Sequence, residues 1–482
     1  MKRTFGRAHV IMTAGLAALM VACGSPTDSP SPALLTGEPP TSRVPIIIDT
    51  DLDNSDIAAV LILLRDPAVD VRAITIAGTG LVHCQGGRLM LRYILDEMGA
   101  SDIPFGCGRE NGGPDARPFP DEWRVNADRG YGLDITPQVE AGVPRDAADL
   151  LAEAIDGSPS APTIVPLGPL TNLEDAFALD PTLADRVAGI HAMIGTVETP
   201  GNVFVDDLTG ADLLEWNAFA DPSAMAAVFA TDVPISIVPL DATGDVPVPP
   251  DLAYRLATDH AAGGADLLYE LLVRHPARLR ADEGQELWDE LAALTLSDPE
   301  LVTWSEGTMV AGENGRLTLD EAGRAVRYAS AADRPAVETA LLEALRRGGP
   351  RATPFALSGS LTARWDGTTC TLVASEGLAP GVAAATFENT SGEPAGVLVA
   401  GVRAPHTWAE LQGLLADLSQ GRAQPPEWLL QGASLNDEAG SGAPISGSVA
   451  LEPATYGPIC LTGTFPDLEF APGTTLEVAA AP

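Results

Sequence analysis

Lysine is nearly missing from this chain: Lys2 is the sole lysine among 482 residues, and every other basic side chain is arginine. No basic stripe forms to track a phosphate backbone, so nucleic acid is excluded as a principal partner. Cysteine is scarce, five in all, and no CxxC pair occurs, which removes the usual framework of a thiolate metal cluster. Long apolar runs are equally rare, and the one at Val10–Ala22 is short for a bilayer span. Positive charge is outweighed to a net −38, yet 45% of residues are apolar and the mean hydropathy is +0.11. That balance describes an acidic globular protein and excludes a disordered acidic chain. At 482 residues the length suits about two to four domains and a sizeable core, so a scaffold held by disulfides alone is also excluded.

What is present begins with an export pattern. Lys2, Arg3 and Arg7 precede the Val10–Ala22 run, and residues 1–22 read as a signal peptide. Leu19-Met20-Val21-Ala22-Cys23 resembles a bacterial lipobox, in which Cys23 is acylated and anchors the protein to the outer face of the cell membrane. Residues 23–43 then carry five prolines among Gly, Ser and Thr, the composition of an extended tether. The other four cysteines are an even number in an oxidising setting. Three pairings are formally open; nearness in the chain favours Cys84–Cys107 and Cys370–Cys460.

From Val44 onward apolar strands alternate with helical periods: strand Val44–Ile48, helix Ile57–Arg65, strand Val71–Ile76, helices Gly87–Met98 and Ala147–Ile155, strand Thr163–Pro166, helix Leu173–Leu179, strand Gly189–Ile194, helix Ser223–Ala230 and strand Ile235–Pro239. This predicts an α/β fold with an open, mostly parallel sheet flanked by helices, and ligands at the strand C-termini. Asp251–Asp298 reads as helical, a strand pair follows at Thr308–Ala311 and Ala325–Tyr328, and helix Ala336–Arg346 closes the region. After Gly348-Gly349-Pro350 the pattern changes to short alternating segments, which predicts a smaller all-β sandwich over 355–482, after a first domain at 44–348. Its Leu398–Val402 strand and Gly457-Pro458-Ile459-Cys460 are similar to a cupredoxin-like sandwich, but His406 and Cys460 alone do not make a copper site.

The densest chemistry lies in Asp49-Thr50-Asp51-Leu52-Asp53-Asn54-Ser55-Asp56, four carboxylates in eight residues between the first strand and the next helix. Such crowding calls for a cation, and oxygen ligands suit Ca²⁺ or Mg²⁺. Further along stand Val165-Pro166-Leu167-Gly168-Pro169-Leu170-Thr171-Asn172, Glu215-Trp216-Asn217 before Asp221-Pro222, Val238-Pro239-Leu240-Asp241-Ala242-Thr243, and Trp288-Asp289 before Asp298-Pro299. In this order and spacing they resemble the inosine-uridine-preferring nucleoside hydrolase family over about residues 44–345.

The resemblance implies hydrolysis of the N-glycosidic bond of a ribonucleoside with one bound Ca²⁺. By position it implies calcium ligands at Asp51, Asp56, the Leu167 carbonyl and Asp289, with Asp51 as the base that activates a calcium-bound water. It implies substrate contacts at Ser55, Asn202, Glu215, Asn217 and Asp289, and it places Trp288 beside them, either stacked on the base or packed in the core. Three positions depart from the family. Ser55 stands where an Asp is usual, Asp53 where a Gly is usual, and Trp288 where a His often protonates the departing base. His83 and His191 read as packed or surface histidines. Asp206, Asp207 and Asp212 read as a solvated insertion. The role of Gly78-Thr79-Gly80-Leu81-Val82-His83-Cys84 is open. The expected function is nucleoside hydrolysis at the cell surface. The alternatives are a ribosyl-ligand-binding lipoprotein of the same fold and a scaffold whose sandwich is the working part. The partners are a nucleoside and the membrane through Cys23; homo-oligomerisation is left open.

Overall fold

A computed structural model of the chain describes residues 43–133, 135, 144–205, 208, 212–249, 252–258, 264–274, 285–347, 358–419, 426, 428–437, 440–462 and 469–479. The signal run, Cys23, the tether up to residue 42, Asp206, Asp207 and the boundary near residue 350 lie outside them.

Nine strands build the main sheet: Val44–Thr50 (β1), Val69–Ile76 (β2), Phe105–Cys107 (β3), Thr163–Pro166 (β4), Gly189–Ala192 (β5), Ile235–Ile237 (β6), Val302–Ala311 (β7), Leu317–Leu319 (β8) and Arg324–Ala332 (β9). Their order is β3-β2-β1-β4-β5-β6-β9-β7-β8. The first six and β9 pair in parallel, while β7 runs antiparallel to β9 and β8. Pro45–Thr50 are buried, as expected of a central strand covered on both faces. The strand order reverses between β1 and β4, and in an open parallel sheet that reversal leaves a crevice beyond the strand C-termini.

The helices between strands are Asn54–Arg65 (α1), Cys84–Glu97 (α2), Asp121–Asp128 (α3), Ala147–Asp156 (α4), Thr171–Leu179 (α5), Trp216–Ala220 (α6), Pro222–Phe229 (α7), Leu240–Thr243 (α8), Leu252–Thr258 (α9), Gly264–Arg274 (α10), Trp288–Ser297 (α11) and Arg334–Arg346 (α12). Ten residues of α1 are buried, because it touches β2 on one side and α10, α11 and α12 elsewhere. A helix apolar all round is stable only in such a position. It begins three residues earlier than its apolar period indicates, since the Asp53 side chain accepts from the Asn54 N–H and caps it.

Two sequence expectations change. Asp251–Asp298 is not one helical stretch: Gln285–Leu287 is extended, with Val248 N–H donating to the Gln285 carbonyl and Leu287 N–H to the Val246 carbonyl, both at 2.9 Å. So short an apolar run fits either state, and the cross-chain partner decides. The pair predicted at Thr308–Ala311 and Ala325–Tyr328 is a longer hairpin fused to the main sheet.

The C-terminal region holds Ser360–Trp365 (β10), Cys370–Ala374 (β11), Gly381–Asn389 (β12), Ala395–Val402 (β13), Trp408–Ser419 (α13), Leu429–Asp437 (β14), Ile445–Leu451 (β15), Ala454–Thr462 (β16), Glu469–Pro472 (β17) and Leu476–Val478 (β18). They form two sheets, β11-β10-β12-β15 and β14-β13-β16-β17 with β18 on β16. Trp365 and Phe387 from the first sheet share one core with Val397 and Tyr456 from the second. Both disulfides read from parity are present: Cys84–Cys107 ties α2 to β3, and Cys370–Cys460 ties β11 to β16 across the two sheets. Val382 of β12 joins the core of the α/β layers.

Candidate active site

The crevice at the β1/β4 reversal is walled by the acidic turn. Leu52 occupies φ 54°, the left-handed region, and is fully buried. This conformation costs a bulky L-residue roughly 1–2 kcal/mol, and it is where the chain reverses so that Asp51 and Asp53 line one cavity. Thr50 Oγ1 accepts from the Leu52 N–H at 3.0 Å and donates to Asp56 Oδ1, which also accepts the Asp51 N–H at 3.1 Å. Asp51 Oδ2 accepts the Leu81 N–H at 2.9 Å. A Cβ at Gly80 would lie 2.3 Å from the Asp51 side chain, and one at Gly168 2.9 Å from it. The Gly78–Cys84 stretch therefore has a role: Gly80 admits the Asp51 carboxylate and Leu81 anchors it. The signal in the sequence was a glycine beside a strand end, which marks close backbone approach without naming the partner.

Ligand oxygens of Asp53, Asp56 and Asp289 lie within 4.8 Å of one another. Burial, with the neighbouring acids, pushes Asp56 and Asp289 well above the usual carboxylate range. Burial and then Asp53 push Asp51 up to about 7. Asp56 Oδ2 and Asp289 Oδ1 are buried with no hydrogen-bond partner among the described residues. Two orphaned anionic acceptors in an acidic pocket fit a hard divalent cation, which satisfies the oxygens and offsets the repulsion. Asp53 was not among the ligands expected from the sequence, yet it closes this cluster.

The cavity, about 830 Å³, brings together Asp51, Asp56, Leu167, Asn202, Glu215, Asn217, Trp288 and Asp289. They come from segments more than 200 positions apart: Asp51 and Leu167 follow strand ends, Glu215, Asn217, Trp288 and Asp289 lie at helix starts, and Asn202 lies in a loop. The Leu167 carbonyl accepts from Asn217 Nδ2 at 2.8 Å and keeps a second lone pair. Glu215 caps α6, its Oε1 taking the Asn217 N–H and its Oε2 those of Gly195 and Ala218. Asn202 Oδ1 accepts the Trp216 N–H at 3.2 Å. Trp288 opens α11, half-buried, with its ring on the cavity wall. Sequence reading missed an aromatic part of the lining, where Phe119 stacks on Trp216 at 4.8 Å and Trp123 meets Trp216 edge-on.

Ser55 departs from its expected place. It is fully buried, donates to Glu290 Oε2 at 2.7 Å, accepts the Asp289 N–H at 3.0 Å and does not line the cavity. Its hydroxyl locks α1 to α11, whereas Asp53, two positions earlier, meets the cavity. Ser55→Asp should therefore set a second buried carboxylate against Glu290. We expect it to lower stability by about 3 kcal/mol without raising turnover; thermal melts and initial rates decide it. His83 pairs with Asp128 at 2.7 Å, and His191 is buried behind α11 against the Ala292 carbonyl, its pKa lowered to about 4 by desolvation. Neither lines the cavity.

Residues 46–341 match the family described as inosine-uridine preferring nucleoside hydrolase. A probable uridine nucleosidase 2 of Arabidopsis thaliana is 30% identical over 274 residues, 55% of this chain and 81% of that protein. A pyrimidine-specific ribonucleoside hydrolase of Shewanella woodyi is 30% identical over 296 residues, 60% of this chain and 91% of its own length. A solved plant nucleoside hydrolase superposes with a TM-score of 0.55 at 26% identity, covering 63% of this chain and 99% of that one.

Proposed function

Because this chain belongs to the inosine-uridine preferring nucleoside hydrolase family, we propose that it hydrolyses the N-glycosidic bond of ribonucleosides in the cavity at the β1/β4 reversal. The carrying observation is the meeting there of a fixed carboxylate, Asp51, with a desolvated acidic cluster that has two orphaned oxygens. Asp51 takes the proton of the attacking water, and its grip by Leu81 and Gly80 fixes the angle of that transfer. Asn217, Asn202 and Asp289 hold the ribose hydroxyls. The buried carboxylates stabilise the positive charge that gathers on the sugar as the bond opens. Calcium, held by Asp51, Asp56, the Leu167 carbonyl and Asp289 with Asp53 adjoining, would supply the charge that keeps these acids ionised and renders water more acidic.

The chain is further read as an exported lipoprotein held through Cys23 at the outer face of the cell membrane, on the strength of Lys2, Arg3, Arg7 and the lipobox-like Leu19–Cys23. Its C-terminal sheets are read as a cupredoxin-like module without copper, since Cys460 is committed to Cys370. One assay covers activity and location: intact cells and medium are given purine and pyrimidine ribonucleosides with CaCl₂, and reducing sugar is measured. Ribose should appear with wild-type cells and shift to the medium fraction with Cys23→Ser. No ribose from any nucleoside would overturn the hydrolase reading, and cell-bound activity in the variant would overturn the anchor.

A further inference from the structure

Resting on the nucleoside-hydrolysing reading above, we propose that Glu286 is the general acid that protonates the departing base. Among the described residues that line the cavity there is no lysine, arginine or histidine. Within that lining the proton donors are carboxylic acids and one phenol, beside water, and the side chains differ in what already engages them. Asp53, Asp56 and Asp289 form the cation cluster, and Asp51 is the base. Both Glu215 oxygens accept backbone N–H groups. Tyr131 directs its hydroxyl to the Leu52 carbonyl at 3.2 Å, on the acidic turn. Glu122 is exposed at the rim, where it differs little from solvent as a donor.

Glu286 is the acid that remains. It is half-buried on the cavity wall, two positions before Trp288. Its segment is fastened on both sides, because Gln285 and Leu287 bond to Val248 and Val246 and Glu286 bridges Pro247. The carboxyl is thus carried by a fixed strand of wall, as a proton donor requires. Among the described residues the ionisable side chains lining the cavity are all acidic, so no side chain among them favours the Glu286 anion. Burial raises its pKa to about 7, which leaves a large protonated fraction at neutral pH.

The step balances. The bond from C1′ to the base nitrogen breaks and its electron pair passes to the base, while the Glu286 proton moves to a ring nitrogen of that base. The water oxygen bonds to C1′ and its proton goes to Asp51. Ribose and neutral base leave; Asp51 then loses, and Glu286 regains, one proton through solvent.

The test compares leaving groups that need a proton with one that does not. Wild type, Glu286→Gln and Glu286→Asp are assayed as full-length protein at saturating CaCl₂ on inosine, uridine and 4-nitrophenyl β-D-ribofuranoside. With Glu286→Gln, kcat on inosine and uridine should fall about 10²–10³-fold with KM little moved. The loss on the nitrophenyl riboside should be at least tenfold smaller. Wild-type activity on the nucleosides should decline on the alkaline side as Glu286 loses its proton, and this alkaline limb should vanish in Glu286→Gln and persist in Glu286→Asp. A loss under tenfold on the nucleosides, or an equal loss on all three substrates, overturns the proposal. Should Glu286→Gln fail to fold by thermal melt, loss of the alkaline limb in Glu286→Asp overturns it instead. A wild type that cleaves the nitrophenyl riboside but neither nucleoside, or none of the three, fails the underlying reading and the proposal with it.

Discussion

Asp51→Asn should lower kcat by about 10²–10⁴ at full calcium occupancy. The substitution keeps the shape of a side chain gripped by the Leu81 N–H and by the close backbone at Gly80 and Gly168. What it removes is the proton acceptor. Calcium affinity is measured on the same sample by calorimetry, so that weakened metal binding is separated from loss of the base. A variant that binds calcium and retains more than a tenth of the wild-type kcat would remove Asp51 from the chemistry. If instead wild type binds nucleosides in a calcium-dependent way and releases no ribose, the ribosyl-binding alternative takes the place of the hydrolase.

Calcium removal should cost both activity and stability, and the stability part should depend on pH in a defined direction. In the folded apoprotein Asp51 is raised to about 7, and Asp56 and Asp289 are raised well above the ordinary value of 3.8. The folded state then binds more protons than the unfolded chain, so apo stability is full below about pH 4 as regards these groups and falls as pH rises toward and past 7. Bound calcium would reverse this by favouring the ionised forms, and its stabilisation should grow with pH. At a thousand times its dissociation constant a ligand adds about 4 kcal/mol. Thermal melts in EGTA and in millimolar CaCl₂ should be well separated at pH 8 and nearly coincide at pH 5. Coincident melts at pH 8 would remove the cation from this pocket.

The sequence alone determined the parallel α/β layering, because strands covered on both faces read as runs such as Pro45-Ile46-Ile47-Ile48 and the helices between them carry their own period. It also determined the two disulfides, through parity and nearness, and most of the residues around the cavity, through the family resemblance carried by the acidic turn and the segments of Leu167, Asn217 and Asp289. It did not determine where side chains within the turn point. Ser55 and Asp53 are two positions apart, and only the packing of α11 against α1 sends Ser55 to Glu290 and leaves Asp53 on the cavity with Asp56 and Asp289. Nor could it show Gly80 beside Asp51, since that closeness exists only once β1 and β2 pair and bring their C-terminal ends together. Glu286 was invisible for the same reason: its segment read as helix until Val246 and Val248 gave its neighbours partners. Local pattern is set by each residue's own periodicity and burial, whereas the chemistry of this site depends on hydrogen bonds and close approaches between segments far apart in the chain, which tertiary packing alone decides.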